Sequence, residues 1–140
     1  MTTVNEKVLV LDDLEFFNEP TTRPAYPYVT ISKLGALVFN SHFCRINSKK
    51  LKDKTHVKMG YSRKNNAILV CFLQENEVDN SFSPFKINHI AKSYAVSFSA
   101  RSFFRKNSIK LDDISGRYEV YFEKILEKEH FLIKLNDERD

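Results

Sequence analysis

Between residues 29 and 74 the chain carries nine Lys or Arg side chains and a single acid, Asp53. Cations at that density neutralise polyanions, because each phosphate they contact releases condensed counterions. The block consists of Lys33, Arg45, Lys49, Lys50, Lys52, Lys54, Lys58, Arg63 and Lys64. Residues 93–110 add Arg101, Arg105, Lys106 and Lys110 with no acid. The arginines Arg45, Arg63, Arg101 and Arg105 also have the fork geometry for bidentate contacts to phosphates or guanine edges. The whole chain is only +4, so acids gather elsewhere: five in residues 1–28 and nine in residues 111–140. Such segregation bears on partners rather than on fold. It predicts binding to nucleic acid or to a host nucleoprotein, against the plainer reading of a solvated charged surface.

Other chemistry is weakly represented. His42, Cys44, His56 and Cys71 are zinc-type ligands, but no Cys-x-x-Cys pair accompanies them. Buried thiols and surface histidines are the expectation, with no metal and no cofactor. The acid pairs Asp12, Asp13 and Asp112, Asp113 sit near turns or element boundaries, where Asp is locally favoured. No nucleophile motif, Walker loop or dinucleotide glycine pattern occurs, so a non-enzymatic protein is expected. One stretch interleaves rings with cations: Phe98, Phe103 and Phe104 alternate with Arg101, Arg105 and Lys106. Single-strand binders stack bases on rings beside cations. Adjacent phenylalanines on a short helix more commonly belong to a core.

The frame for these side chains is 140 residues long, 42% hydrophobic, with twelve Phe and six Tyr. That composition builds one core. Three Gly and four Pro argue against a disordered chain. The longest apolar run, residues 67–73, is far short of the ~20 residues of a membrane span. No signal-peptide pattern opens the chain, and two cysteines suit a reducing compartment, so a cytoplasmic protein is expected (host cytosol if phage-encoded).

Residues 1–27 read as an acidic arm, with Phe16 and Phe17 free to dock and Pro20, Pro24 and Pro27 breaking regular structure. Residues 28–140 read as one domain of two repeats, 28–74 and 93–135, joined by a polar linker. In the first repeat, strands at 28–31 and 36–39 flank the turn residues Leu34 and Gly35. Asn40 or Ser41 caps a short helix to about Ile46. A lysine-rich loop, 49–54, leads to an alternating strand at Val57, Met59 and Tyr61. A tip at Arg63 to Asn66 and a buried strand, 67–73, complete a hairpin. The second repeat reads likewise: a strand at 94–98, a helix over 100–107 capped by Ser99, and a turn at 112–116. A strand over 118–122 and a hairpin return at Phe131, Leu132 and Ile133 follow. Phe39 matches Phe98, Val57 matches Tyr118 and Ile68 matches Phe131. A half of this kind cannot bury its own apolar face, so two pack together. The expected fold is α+β and β-rich: two strand–short helix–β-hairpin repeats in one small barrel-like body.

The run Val29, Thr30, Ile31, Ser32, Lys33, Leu34, Gly35, Ala36, Leu37, Val38 resembles the opening of AbrB-like swapped-hairpin domains. Gly116, Arg117, Tyr118, Glu119 and Val120 resemble the stretch that begins their hairpin, while Ser32 stands where that family usually has Pro. The resemblance implies an interlaced β-barrel, built by two chains or by two halves of one, and DNA binding. It also implies a phage-type small protein. The partner would be nucleic acid or, on the lack of catalytic motifs and the dual-charged surface, a host defence nuclease inhibited in the manner of an anti-CRISPR. A virion accessory role is a third reading.

Overall fold

Alternation of apolar and polar residues produces two short strands, β1 (Tyr28–Ile31) and β2 (Ala36–Phe39), each buried at every second position. They are seen in a computed structural model that describes residues 16, 26–89 and 95–136. Phe16 is exposed; the rest of the expected arm up to residue 25, Phe17 included, lies outside the described residues, as does Tyr94. The β1–β2 turn explains Ser32. Its N–H donates to the Ala36 carbonyl at 2.9 Å, and its Oγ accepts from the Ala36 N–H at 3.0 Å. Proline would supply neither group.

Asn40 ends β2 and starts α1 (Ser41–Ile46). Its Oδ1 accepts from the Phe43 N–H at 2.9 Å and the Tyr28 N–H at 3.1 Å, while Nδ2 donates to the Tyr26 carbonyl at 2.9 Å. One side chain thus caps the helix and fixes the start of β1. The lysine-rich stretch is not a loop: Lys49 and Lys50 lie on a helical turn, α2 (Ser48–Leu51), and Lys54 opens a strand. A hairpin of β3 (Lys54–Ser62) and β4 (Ala67–Gln74) follows, with its tip at Arg63 to Asn66.

The expected linker is also structured. It forms two 3₁₀ turns, Glu75–Glu77 and Asn80–Phe82, then β5 (Phe85–Lys86) and β6 (Asn88–His89). Next come β7 (Val96–Ser99) and α3 (Arg101–Lys106). Ser99 belongs to the strand; Ala100 is the cap residue and makes no side-chain bond. The expected turn at 112–116 is a helical turn, α4 (Leu111–Ile114). The expected strand at 118–122 is two strands, β8 (Gly116–Glu119) and β9 (Tyr121–Ile125), before β10 (Lys128–Lys134).

Two five-stranded antiparallel sheets result, ordered β6-β7-β2-β1-β8 and β5-β3-β4-β10-β9. They do not close into a barrel. The chain instead passes from one sheet to the other three times: through α1 and α2 between β2 and β3, and at two single-residue corners, Ile87 between β5 and β6 and Val120 between β8 and β9. At the centre of the first sheet Val38 faces Ser97, with Leu37 opposite Phe98 and Phe39 opposite Val96. At the centre of the second Leu69 faces Leu132, with Ile68 opposite Ile133 and Val70 opposite Phe131. The facing surfaces bury Leu37, Phe39, Phe98, Ile68, Val70 and Ile133. Phe39 is central: its ring centroid is 4.8 Å from Phe43, 5.5 Å from Phe72 and 6.1 Å from Phe98. Such ring pairs add to the burial itself.

A candidate nucleic-acid interface

The cations singled out by charge and spacing do not form one patch. Lys33 is exposed on the β1–β2 turn, and that turn rests on α3. The Ala100 N–H donates to the Gly35 carbonyl at 2.8 Å. Gly35 has φ +89°, and a Cβ there would stand 3.0 Å from the Arg101 Cα. Glycine permits both the positive φ and the close approach. The contact places the Lys33 turn beside Arg101, and α3 adds exposed Arg105 and Lys106.

Arg45, Lys49 and Lys52 are exposed around α1 and α2. Lys50 is drawn inward: its Nζ lies 3.5 Å from Glu129 Oε1 and 4.2 Å from the Phe122 ring centroid. Lys54 pairs with Glu77 at 3.5 Å. Lys58 lies 4.5 Å from the Phe82 ring centroid and Arg63 5.8 Å from that of Tyr61. Lys64 is exposed at the β3–β4 tip. The acidic C-terminal segment therefore reaches the basic block instead of lying apart from it, since Glu129 belongs to β10.

Two grooves gather these groups, and their electrostatics differ. One, of about 430 Å³, is walled by Lys50, Lys54, Lys124 and Lys128 together with Glu77, Glu127 and Glu129. Its charges largely compensate one another. Glu77 accepts from the Gln74 N–H at 2.9 Å, and this bond, reinforced by Lys54, holds its carboxyl below the ordinary range. The other groove, of about 420 Å³, runs between β3, the loop at 81–85 and α3. Tyr61, Phe82, Phe85, Phe103 and Lys106 line it, and among the described residues none of its walls carries a carboxylate. A hollow of four rings and Lys106 suits an anion with flat faces. An acid does adjoin it, since the Asp79 carboxylate accepts from the N–H of the wall residue Ser81 at 3.0 Å.

No protein-family model, curated protein or solved structure matches this chain.

The zinc-type residues stay apart. Among the described residues no cluster of three or more His, Cys, Asp or Glu is placed to hold a metal ion. Burial pushes the Cys44 thiol up to about 11, against a backbone hydrogen bond at Val96 that lowers it, and its Sγ–H points at the Phe39 carbonyl 3.7 Å away. Burial also raises Cys71, opposed by Lys58 and Lys128. Phe98 and Phe104 are core residues, and Phe103 packs partly against the core while lining the groove.

Sequence reading missed Phe82, Lys124 and Lys128. Phe82 was hidden in a stretch that scores as polar linker, though two phenylalanines within Asn80, Ser81, Phe82, Ser83, Pro84, Phe85 are a detectable signal. The sequence also holds a sharper internal match. Phe43, Arg45, Asn47 and Ser48 recur as Phe103, Arg105, Asn107 and Ser108 at a constant spacing of 60. Among the described residues no helix is long and apolar enough to cross a membrane.

Proposed function

We propose that the chain is a non-enzymatic binding protein that holds nucleic acid, free or inside a nucleoprotein complex, on its cationic surface. The observation that carries this reading is the groove beside α3, where Lys106 and four aromatic rings meet without a carboxylate. Arg101 and Arg105 are exposed on the same short helix but do not line the groove, so Lys106 is its α3 cation. Phosphates are held by such point charges and forks, and affinity then falls with salt as counterions are released.

We also infer that the repeats 28–74 and 93–135, the second extended back to β5, are two copies of one unit related by a pseudo-twofold. The central pairs support it: Val38 with Ser97 and Leu69 with Leu132 join matched positions of matched strands. Asn47 Nδ2 donates to the Phe43 carbonyl at 2.9 Å, and Asn107 Nδ2 donates to the Phe103 carbonyl at the same distance. β1 of the first unit pairs with β8 of the second, and β5 of the second pairs with β3 of the first. The AbrB-like resemblance implies this exchange, with both units on one chain. Phage origin belongs to the same proposal.

A second reading is favoured by the compensated groove. Its alternating Lys and Glu suit a protein surface of mixed charge, as an inhibitor gripping a host nucleoprotein would require. Anisotropy titration of labelled DNA and RNA at about 50 and 200 mM salt tests the first reading. Binding that weakens steeply with salt is expected. Absence of binding at the lower salt sinks it and leaves the protein-contact reading, which co-purification with a nuclease–guide complex then decides.

A further inference from the structure

We propose that the groove beside α3 takes a single-stranded nucleic acid, with an unpaired base stacked on Phe82 and the backbone held by Lys58 and Lys106. This rests on the nucleic-acid reading above and narrows it to one class of ligand and one place.

Phe82 is the anchor. Its side chain is 54% exposed, whereas Phe39, Phe43, Phe98 and Phe104 are all at or below 2%. It stands between two adjoining hollows. One is the α3 groove and the other, of about 380 Å³, is walled by Lys58, Gly60, Tyr61, Leu69 and His130 on the outer side of β3. Among the described residues neither hollow has a carboxylate in its walls. Gly60 floors both, and a Cβ placed on it would meet nothing within 4 Å, so the space over β3 is open.

Cations and rings are already paired here. Lys58 lies over Phe82 and Arg63 over Tyr61. A base stacking on the open side of either ring meets an aromatic surface backed by a positive charge, and its phosphates meet Lys58 and Lys106. Every base has a π-face, so this recognition tolerates sequence. A duplex cannot use it, because its bases are stacked on each other. An acidic peptide satisfies the ammonium groups but offers Phe82 no planar partner.

The test uses the whole chain with labelled thymidine and uridine oligonucleotides of about 15 nucleotides, and a duplex of equal length. The single strands are expected to bind more tightly than the duplex. Phe82→Ala is expected to weaken single-strand binding roughly fivefold to a hundredfold, with no change in salt slope. Phe82→Tyr keeps the ring and is expected to keep the affinity. Lys106→Ala is expected to lower the salt slope by about one. Because Phe82 is exposed, circular dichroism of Phe82→Ala is expected to match the parent. If the duplex binds as well as the single strands and Phe82→Ala changes nothing, the groove assignment falls and the general nucleic-acid reading stands. If no nucleic acid binds at low salt, or only acidic peptides do, both fall.

Discussion

Phe39 illustrates how much one side chain decides. It is fully buried and touches rings from α1, β4 and β7, so truncation leaves a cavity between the sheets. Phe39→Ala is expected to cost about 3–5 kcal/mol in urea denaturation. Gly35 acts differently. Alanine there meets both a positive φ and the Arg101 backbone, so neither strain nor clash is relieved by a side-chain rotation. Gly35→Ala is expected to cost about 1–3 kcal/mol, measured the same way, and to displace the Lys33 turn from α3. Cys44 links burial to pH. Burial pushes its folded pKa up to about 11, above the ordinary thiol value, so the folded state holds the thiol proton more tightly than the unfolded chain. The resulting stability is fully present below about pH 9 and is lost as pH rises through about 11. Alkaline titration followed by circular dichroism checks this, with Cys44→Ala reducing the pH dependence in that window and Cys71, also raised by burial, contributing a further part. At pH 8 the native thiol is expected to react with an aromatic disulfide reagent far more slowly than the same thiol in denaturant.

At the scale of elements, the helix ends give the sharpest comparison. Asn47 and Asn107 make matching bonds to the carbonyl four residues back, so Asn47→Ala and Asn107→Ala are expected to cost similar amounts, about 1 kcal/mol each, in urea melts. Charge reversals on the helices are expected to differ. Arg105→Glu with Lys106→Glu reverses the Lys106 charge in the wall of the α3 groove, whereas Lys49→Glu with Lys52→Glu lies near Lys50, which already faces Glu129. The α3 pair is expected to weaken polyanion binding more, read as a larger loss of salt slope in anisotropy titrations. The Lys50–Glu129 pair is itself more than a third exposed on both sides and contributes about 1 kcal/mol at most. β1, β2, α1 and the β3–β4 hairpin were legible because their alternation, cap residue and tip residues all agree. α2 was not, because consecutive lysines show no period. The break at Val120 was not legible either. The apolar pattern states which face a side chain takes, not which sheet its strand joins, and Tyr118 to Phe122 carry no Gly or Pro to mark the corner. The cations were legible as residues but not as a surface. Pairing to Glu77 and Glu129, both distant in sequence, decides which of them remain available to a ligand.

For the whole molecule, stability rests on exchange between the halves. β2 lies against β7, β4 against β10, β1 against β8 and β3 against β5, so every strand of the first half has a neighbour from the second. Removing the second half exposes one edge of each and uncovers the faces that bury Phe39, Val70 and Phe72. Unpaired edges beside apolar surface drive association rather than monomeric folding. Residues 1–84 and 85–140, produced separately, are therefore each expected to lack the near-ultraviolet dichroism of fixed aromatic packing. Mixed or co-expressed, they are expected to recover it as a one-to-one complex in size-exclusion chromatography. A first half that folds alone as a monomer overturns the account, since its strands would then need no partner. A first half that folds as a symmetric dimer supports it more strongly. β2 would pair with a second β2 about Val38 and β4 with a second β4 about Leu69, the same central positions that Ser97 and Leu132 face in the intact chain. The proposed pseudo-twofold would then be an actual one, with the second half standing in for a partner that the first half can still find in its own copy.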